Sequence, residues 1–416
     1  MAVIGAGVIG AAVAYALARE GRTVLLLDRA EPGMAGASFG NAGHIAAELV
    51  EPLPSWSLLF GFWRELSAFG GVLDIPLRRV PQFLPWALRF ASAAGVASKN
   101  THHLAPLVRP AVERMARWLA EVGRPELLRR NGHFQVWFGP RSDKRAAAEA
   151  VAMERLGIPT EAMPNEILQA VAHRPQNSLT PKAGLRPGNR PVSGLWFPGT
   201  AHVVDPLKVV QSFAGAAFQR GAAFQCAEIR AIEPLEGRIA LHTNAQTLTV
   251  DAVVVCTGAW TASLLAPLGL RVPMESARGY HVEMRGHPAL ADRPILYADS
   301  RIYVTPMEGR LRATSFMEFA GTEAALDPQK LAQLRTRLRA LGYDCREDGP
   351  GWMGPRPVLP DYLPGIGRLE RTRIFYAVGH QHIGLTLAPV TGELVADLLA
   401  NRLPRHDISA FDLRRF

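Results

Sequence analysis

The chain has 416 residues, enough for two or more domains with sizeable cores. Apolar residues make up 48% and charged residues 20%, which excludes a disordered chain. The net charge of +9 comes from dispersed arginines, with no dense basic tract and no aromatic-basic motif, so nucleic acid is not expected as a partner.

The N-terminus carries the strongest local signal. Residues 3–10 read Val-Ile-Gly-Ala-Gly-Val-Ile-Gly, an apolar strand running into a Gly-x-Gly-x-x-Gly turn. A helix is expected over 11–20 and a second buried strand over 23–27, ending at Asp28. Gly5 makes the tight turn, and Gly7 leaves the backbone open to a pyrophosphate. Gly10 lets helix and strand pack closely, and the helix N-terminus faces the phosphates. Asp28, followed by Arg29, stands where a carboxylate takes the ribose hydroxyls of an adenosine. Strand, helix, second strand and acid in register indicate a dinucleotide site.

After Asp28 the α/β pattern breaks off into a loop of small residues, 36–44. Residues 56–122 read as mainly helical, and 111–122 is amphipathic. The stretch 56–94 interleaves Trp56, Phe60, Trp63, Phe69, Leu84, Trp86 and Leu88 with Arg64, Arg78, Arg79 and Arg89. Such segments either pack on a domain core or lie in a bilayer interface. Strands are expected at 133–138 and 195–197. Asp205-Pro206 opens a long helix.

The run 250–257, ending at Gly258, reads as a buried strand. Antiparallel strands follow at 280–284, 301–305 and 311–318, the last two joined by a turn at 307–310. Another buried strand at 374–378 leads into Gly379 and a closing helix from about 389 to 400.

The return of nucleotide-type strands near 250 and 374 implies an α/β plus α+β architecture. A Rossmann-like FAD-binding domain is expected from discontinuous segments 1–50, 200–272 and 350–416. An inserted, mainly antiparallel substrate domain carrying helices takes 51–199 and 273–349. An NAD dehydrogenase continues its sheet from the first βαβ unit, so the break after residue 30 favours a flavin.

Cys226, Cys256 and Cys345 are scattered, without a CxxC, which suggests neither disulfides nor a zinc site. With no secretory signal and no membrane-spanning run, the expected location is cytoplasmic, with peripheral contact on the inner face of the cell membrane left open. A His380-x-His382 pair without a third ligand does not make a metal site.

Several segments together resemble the FAD-dependent D-amino-acid oxidase/dehydrogenase superfamily. They are the N-terminal fingerprint, 37–44 (Ala-Ser-Phe-Gly-Asn-Ala-Gly-His), 256–260 (Cys-Thr-Gly-Ala-Trp), 352–357 (Trp-Met-Gly-Pro-Arg-Pro), Pro360-Asp361 and 379–386 (Gly-His-Gln-His-Ile-Gly-Leu-Thr). The match spans essentially the whole chain in order. It is closest to bacterial D-amino-acid dehydrogenases, including the D-proline and D-hydroxyproline branch.

The resemblance implies non-covalent FAD, since no cysteine follows Cys345 near the C-terminal flavin loop. Gly5, Gly7, Gly10, Asp28 and Arg29 would hold the ADP half. Ser38, Asn41, Ala42, Gly43 and His44 would pass the pyrophosphate and run beneath the ring. Ile229 would lie near the adenine and Gly258 would close the nucleotide site. Gly379, His380, Gly384, Leu385 and Thr386 would serve the pyrimidine end.

Arg356 is the expected grip on the substrate carboxylate, because a guanidinium fork holds a carboxylate bidentately. Tyr280, Tyr303, His44 and His382 are expected to line the pocket. The flavin carries the hard step, so no strong general base is required. The implied reaction is oxidation of a D-amino acid to its imino acid, with electrons passed to a quinone or partner protein. Alternatives are an amine oxidase of sarcosine- or glycine-oxidase type and the catalytic subunit of a multi-subunit dehydrogenase.

Overall fold

The computed structural model describes residues 1–173, 191–286, 288–345 and 351–416. Among these, the nucleotide sheet has six strands, ordered Ala223–Cys226, Leu25–Asp28, Ala2–Ile4, Val253–Val255, Ile374–Val378 and Gly365–Arg368. All neighbours are parallel except the last pair. The central strands are buried on both faces, which is why they read as unbroken apolar runs.

Helix Val8–Arg19 packs against helices Pro206–Phe218 and Gly384–Leu399. Asp205 caps the first of these, its Oδ1 accepting from the N–H groups of Leu207 and Lys208.

A second sheet of nine strands stands beside it. Its main path runs Gly351–Val358, Glu275–Arg285, Arg310–Glu318, Ile302–Met307, Ile295–Tyr297, His133–Phe138, Val192–Phe197 and Glu161–Ala162, and Leu73–Asp74 pairs with Arg310–Glu318. The pairing is antiparallel apart from Ile295–Tyr297 beside His133–Phe138 and the Leu73–Asp74 contact. A small three-stranded sheet of Leu128–Arg129, Ala201–Val203 and His44–Ile45 ties the two together.

Two readings need correction. Gly351–Val358 pairs with residues 275–282, so it belongs to the large sheet and not to a nucleotide segment 350–416; position 350 itself lies outside the described residues. The closing helix starts at Gly384, not near 389, with Pro389 in its interior. Gly384, Leu385 and Thr386 are therefore a helix N-terminus and not a loop.

The strand after the 206–218 helix is Ala223–Cys226, while Ile229 opens a separate three-stranded antiparallel meander over residues 229–250. The stretch 56–122 is mainly helical, as expected, with helices Trp56–Glu65, Val80–Ala93, Ala97–Val108 and Ala111–Glu121 around the short strand Leu73–Asp74.

Candidate functional site

The two sheets enclose a cavity of about 570 Å³. That volume lies in the range of enclosed small-molecule sites. One end is the βαβ turn. Gly5 has φ +100°, and a Cβ there would stand 2.4 Å from the Cys256 carbonyl oxygen. A Cβ on Gly10 would stand 1.7 Å from the Gly5 oxygen. Both positions therefore require glycine for backbone packing.

Gly7, Val8 and Ile9 present the helix N-terminus to the cavity. Ser38 Oγ accepts from Val8 N at 2.9 Å, which places the 36–44 loop against that terminus. Asp28 accepts from Ala6 N (2.6 Å) and Arg29 N (2.7 Å). Burial pushes its carboxyl up, against the lowering by these N–H groups. A carboxylate in this state gains from further donors such as a ribose diol. Arg29 lies over the Trp260 ring at 4.0 Å, and both line the cavity.

The loop 36–44 is held by the large sheet. Arg312 Nη1 donates to the carbonyls of Phe39 (3.1 Å) and Asn41 (2.8 Å), while Glu283 neutralises the same guanidinium at 2.7 Å. His281 Nδ1 donates to Gly40 O (3.1 Å), and Thr305 Oγ1 donates to Ala42 O (2.8 Å). Gly43 has φ +76°, and a Cβ would stand 2.7 Å from Val203 O. Asn41 Oδ1 accepts from Gly43 N, completing the turn.

Arg356 stands at the other end. It comes from Gly351–Val358 and crosses Gly279 on the neighbouring strand, where a Cβ would stand 2.0 Å from its Nη2. Its one hydrogen bond among the described residues runs from Nη1 to Phe316 O at 3.2 Å. Phe316 holds a left-handed φ of 66° at an irregularity in strand pairing. That conformation costs about 1–2 kcal/mol for a non-glycine residue and aims the carbonyl at the guanidinium.

Arg356 makes no ion pair with a carboxylate among the described residues. Burial pulls its proton affinity down. A half-buried guanidinium without a carboxylate, on a cavity wall, is a site for an anionic ligand group.

Tyr303, His44 and His382 line the same cavity. The Tyr303 hydroxyl is buried without a partner, and burial pushes its pKa well up. Its ring packs 5.0 Å from His44. His382 is accessible from the cavity yet enclosed by surrounding protein. Burial and then Arg356 push it down to about 4.

Not every expected residue reaches the cavity. Tyr280 faces away from it. Side chains alternate along Glu275–Arg285, so Gly279 and His281 turn toward Arg356 and Trp352 while Tyr280 points to the opposite face. There its hydroxyl donates to Glu318 at 2.7 Å and accepts from Arg278.

Gly10 and Gly43 serve backbone packing and do not line the cavity, and Thr386 Oγ1 accepts from Ala46 N behind the wall. The His380 ring is turned into the protein onto Thr391 (3.0 Å). The backbone segment at Gly379, His380, Gly384 and Leu385 stays at the cavity, as do Ile229 and Gly258.

Sequence reasoning missed Glu48, Trp352, His133 and Arg312. Trp352 lies in the 352–357 segment that carries the resemblance but was given no role of its own, and no motif marks Glu48, His133 and Arg312, whose roles come from contacts made in the fold.

Residues 1–398 match the profile of the FAD dependent oxidoreductase family (DAO). The chain belongs to that family. It is an FAD-dependent oxidoreductase acting on C–N bonds that carry hydrogen.

A D-amino-acid oxidase of Bradyrhizobium diazoefficiens is 30% identical over 433 aligned residues, covering 100% of this chain and 98% of that protein. A D-amino acid dehydrogenase of Cereibacter sphaeroides is 29% identical, covering 100% and 94%. Among solved structures, glycine oxidase from Geobacillus kaustophilus superposes with a TM-score of 0.73 at 23% identity, covering 100% of this chain and 98% of that one. L-proline dehydrogenase from P. horikoshii gives 0.69 at 18%, covering 100% and 96%. These structural likenesses bear on the fold alone.

The cavity suits FAD. A helix N-terminus, a buried carboxylate open to further donors and the Gly379–Leu385 backbone lie along one continuous wall.

Proposed function

We propose that the protein oxidises a D-amino acid to the imino acid, with D-proline and cis-4-hydroxy-D-proline among the candidates. Electrons then pass to an acceptor such as a quinone or partner protein. The observation that carries this reading is Arg356, a cavity guanidinium with no carboxylate to neutralise it among the described residues. An α-carboxylate supplies that partner. The names of the most similar relatives, D-amino-acid oxidase and D-amino acid dehydrogenase, supply the stereochemistry.

FAD held in this cavity would supply the acceptor for the hydride that leaves the substrate Cα. Gly5, Gly7, Asp28, Arg29, Ser38, Asn41, Ala42, Ile229 and Gly258 would hold its ADP half and the approach to the ring, and Gly379, His380, Gly384 and Leu385 its flavin end. Arg356 fixes the substrate by two parallel charged hydrogen bonds, which orients Cα. Tyr303, His44 and His382 form the polar wall, and Trp352 lines the cavity beside them. An acyclic imino acid leaves and hydrolyses to a keto acid. A cyclic substrate yields a pyrroline carboxylate.

A second observation supports a membrane-side acceptor. Helices Trp56–Glu65 and Val80–Ala93, with the residues between them, expose Trp56, Phe60 (79%), Trp63, Phe69, Leu77 (89%) and Leu88. Arg64, Arg78 and Arg89 are interleaved. Aromatic and basic side chains together suit an anionic bilayer interface. No helix among the described residues is long and apolar enough to cross a membrane.

Anaerobic mixing with D-alanine, D-proline, cis-4-hydroxy-D-proline, sarcosine and the L-enantiomers tests the substrate class. Bleaching of the flavin band by D-enantiomers alone is expected. Bleaching by sarcosine alone would move the reading to a secondary-amine oxidase.

A further inference from the structure

We propose that His44 takes a proton from the substrate's α-ammonium, and that Glu48 positions it to do so. The proposal rests on the amino-acid reading above. A zwitterionic amino acid has no nitrogen lone pair, and one is needed to form the C=N bond as the Cα hydride departs. In the proposed step an ammonium N–H bond breaks and its electron pair stays on nitrogen. The proton forms a new N–H bond at His44 Nδ1. No oxidant takes part in this step.

The geometry names the atoms. His44 Nε2 lies 2.7 Å from Glu48 Oε1, and the two side chains are only 11% and 10% exposed. Burial alone would raise the Glu48 carboxyl, but His44 and His133 beside it hold it below the usual range. An ionised carboxylate only accepts, so Nε2 carries the hydrogen and the lone pair sits on Nδ1. That nitrogen is shielded and has no hydrogen-bond partner among the described residues, and neither has Glu48 Oε2. A carboxylate that fixes a histidine tautomer and then faces the imidazolium is the arrangement of an activated base.

The surrounding groups are less suited to the role. His133 Nδ1 must donate to Thr200 Oγ1, because that hydroxyl itself donates to Phe197 O. Burial pushes His133 down to about 3. His202, paired in register with His44, is pushed by burial to about 4, as is His382. The Tyr303 hydroxyl, whose ring lies 5.0 Å from His44, is pushed up and stays protonated. Of these groups only His44 has a carboxylate at hydrogen-bond distance.

The charge layout also fits a zwitterion. Arg356 lowers the proton affinity of His382 and Glu48 raises it, so His382 feels the cation and the anion together. The cavity offers a cation for the carboxylate and the Glu48–His44 pair for the ammonium.

Potential ligand atoms of His44, Glu48 and His133 all lie within 4.8 Å of one another, so a metal is the rival occupant. Two atoms bound to one zinc at about 2.0–2.2 Å sit roughly 3.3 Å apart. The 2.7 Å separation here is that of a hydrogen bond.

The test compares ligands that cannot be oxidised, using the FAD-loaded enzyme in a calorimeter. 2-Aminoisobutyrate and 2-methyl-D-proline keep the amine but lack a Cα hydrogen. Isobutyrate and cyclopentanecarboxylate lack the amine. Glu48→Gln is expected to weaken the amino acids by about tenfold or more and leave the plain carboxylates unchanged or tighter.

The acid limb of the flavin-reduction pH profile should move down by about one unit, because removing the carboxylate destabilises the imidazolium. Glu48→Asp should restore part of both effects. Equal weakening of both ligand classes, or a slower reaction with an unmoved acid limb, would assign Glu48 a structural role. Stoichiometric divalent metal in the purified protein would also overturn the proposal. If no D-amino acid bleaches the wild-type flavin, the substrate reading itself fails and this inference falls with it.

Discussion

Arg278 and Arg356 occupy neighbouring strands of one sheet and face opposite sides of it. Arg278 is 1% exposed and ion-paired with Glu318. It donates to the carbonyls of Ala324 and Ala325 and to the Tyr280 hydroxyl, and its Nε lies 3.1 Å from Glu318 Oε2 without hydrogen-bond alignment. Arg356 has one carbonyl and no acid among the described residues. The first holds loop and strand together, and the second awaits a ligand. A buried arginine therefore reveals its role by what fails to neutralise it.

The contrast can be broken by mutation. Arg278→Ala should have the largest effect on stability, about 3 kcal/mol in urea unfolding of the FAD-loaded protein. It leaves Glu318 buried with the Tyr280 hydroxyl and, as the remaining cation among the described residues, Lys330 at 3.4 Å. Its substrate dependence should stay that of the wild type; a changed substrate constant with unchanged stability would reverse the two assignments.

Gly279→Ala sharpens the same comparison from the cavity side. The added Cβ displaces the Arg356 guanidinium, so the substrate constant should rise by tenfold or more, on the order of the cost of a 1 Å misplacement. An unaffected constant would show that Arg356 has freedom to move. Tyr280→Phe should be the mildest, roughly 1–2 kcal/mol of stability for the lost Glu318 hydrogen bond, with turnover retained. A fall in turnover at unchanged stability would return Tyr280 to the pocket.

The two halves of the site were unequally legible. Gly5, Gly10 and Asp28 are local: strand, turn and helix lie within 28 residues, and the backbone contacts of the two glycines make their identity obligatory. Arg356 was readable from its motif. Tyr280 was not placed correctly, because a strand's period of two assigns each residue to a face only once the pairing is known.

Glu48 carries no motif at all. Its meaning comes from His44 four residues earlier and from His133 on another sheet. Gly43 and Thr386 were expected at the cofactor but pack just behind the wall.

The central claim is that Arg356 holds the substrate carboxylate. The most direct measurement is the concentration dependence of anaerobic flavin reduction by the preferred D-amino acid in Arg356→Ala and wild type. The account predicts equal FAD content and equal thermal stability, with a substrate constant higher by about 100-fold, equivalent to roughly 3 kcal/mol of charged binding. An unchanged substrate constant with FAD fully bound would contradict it.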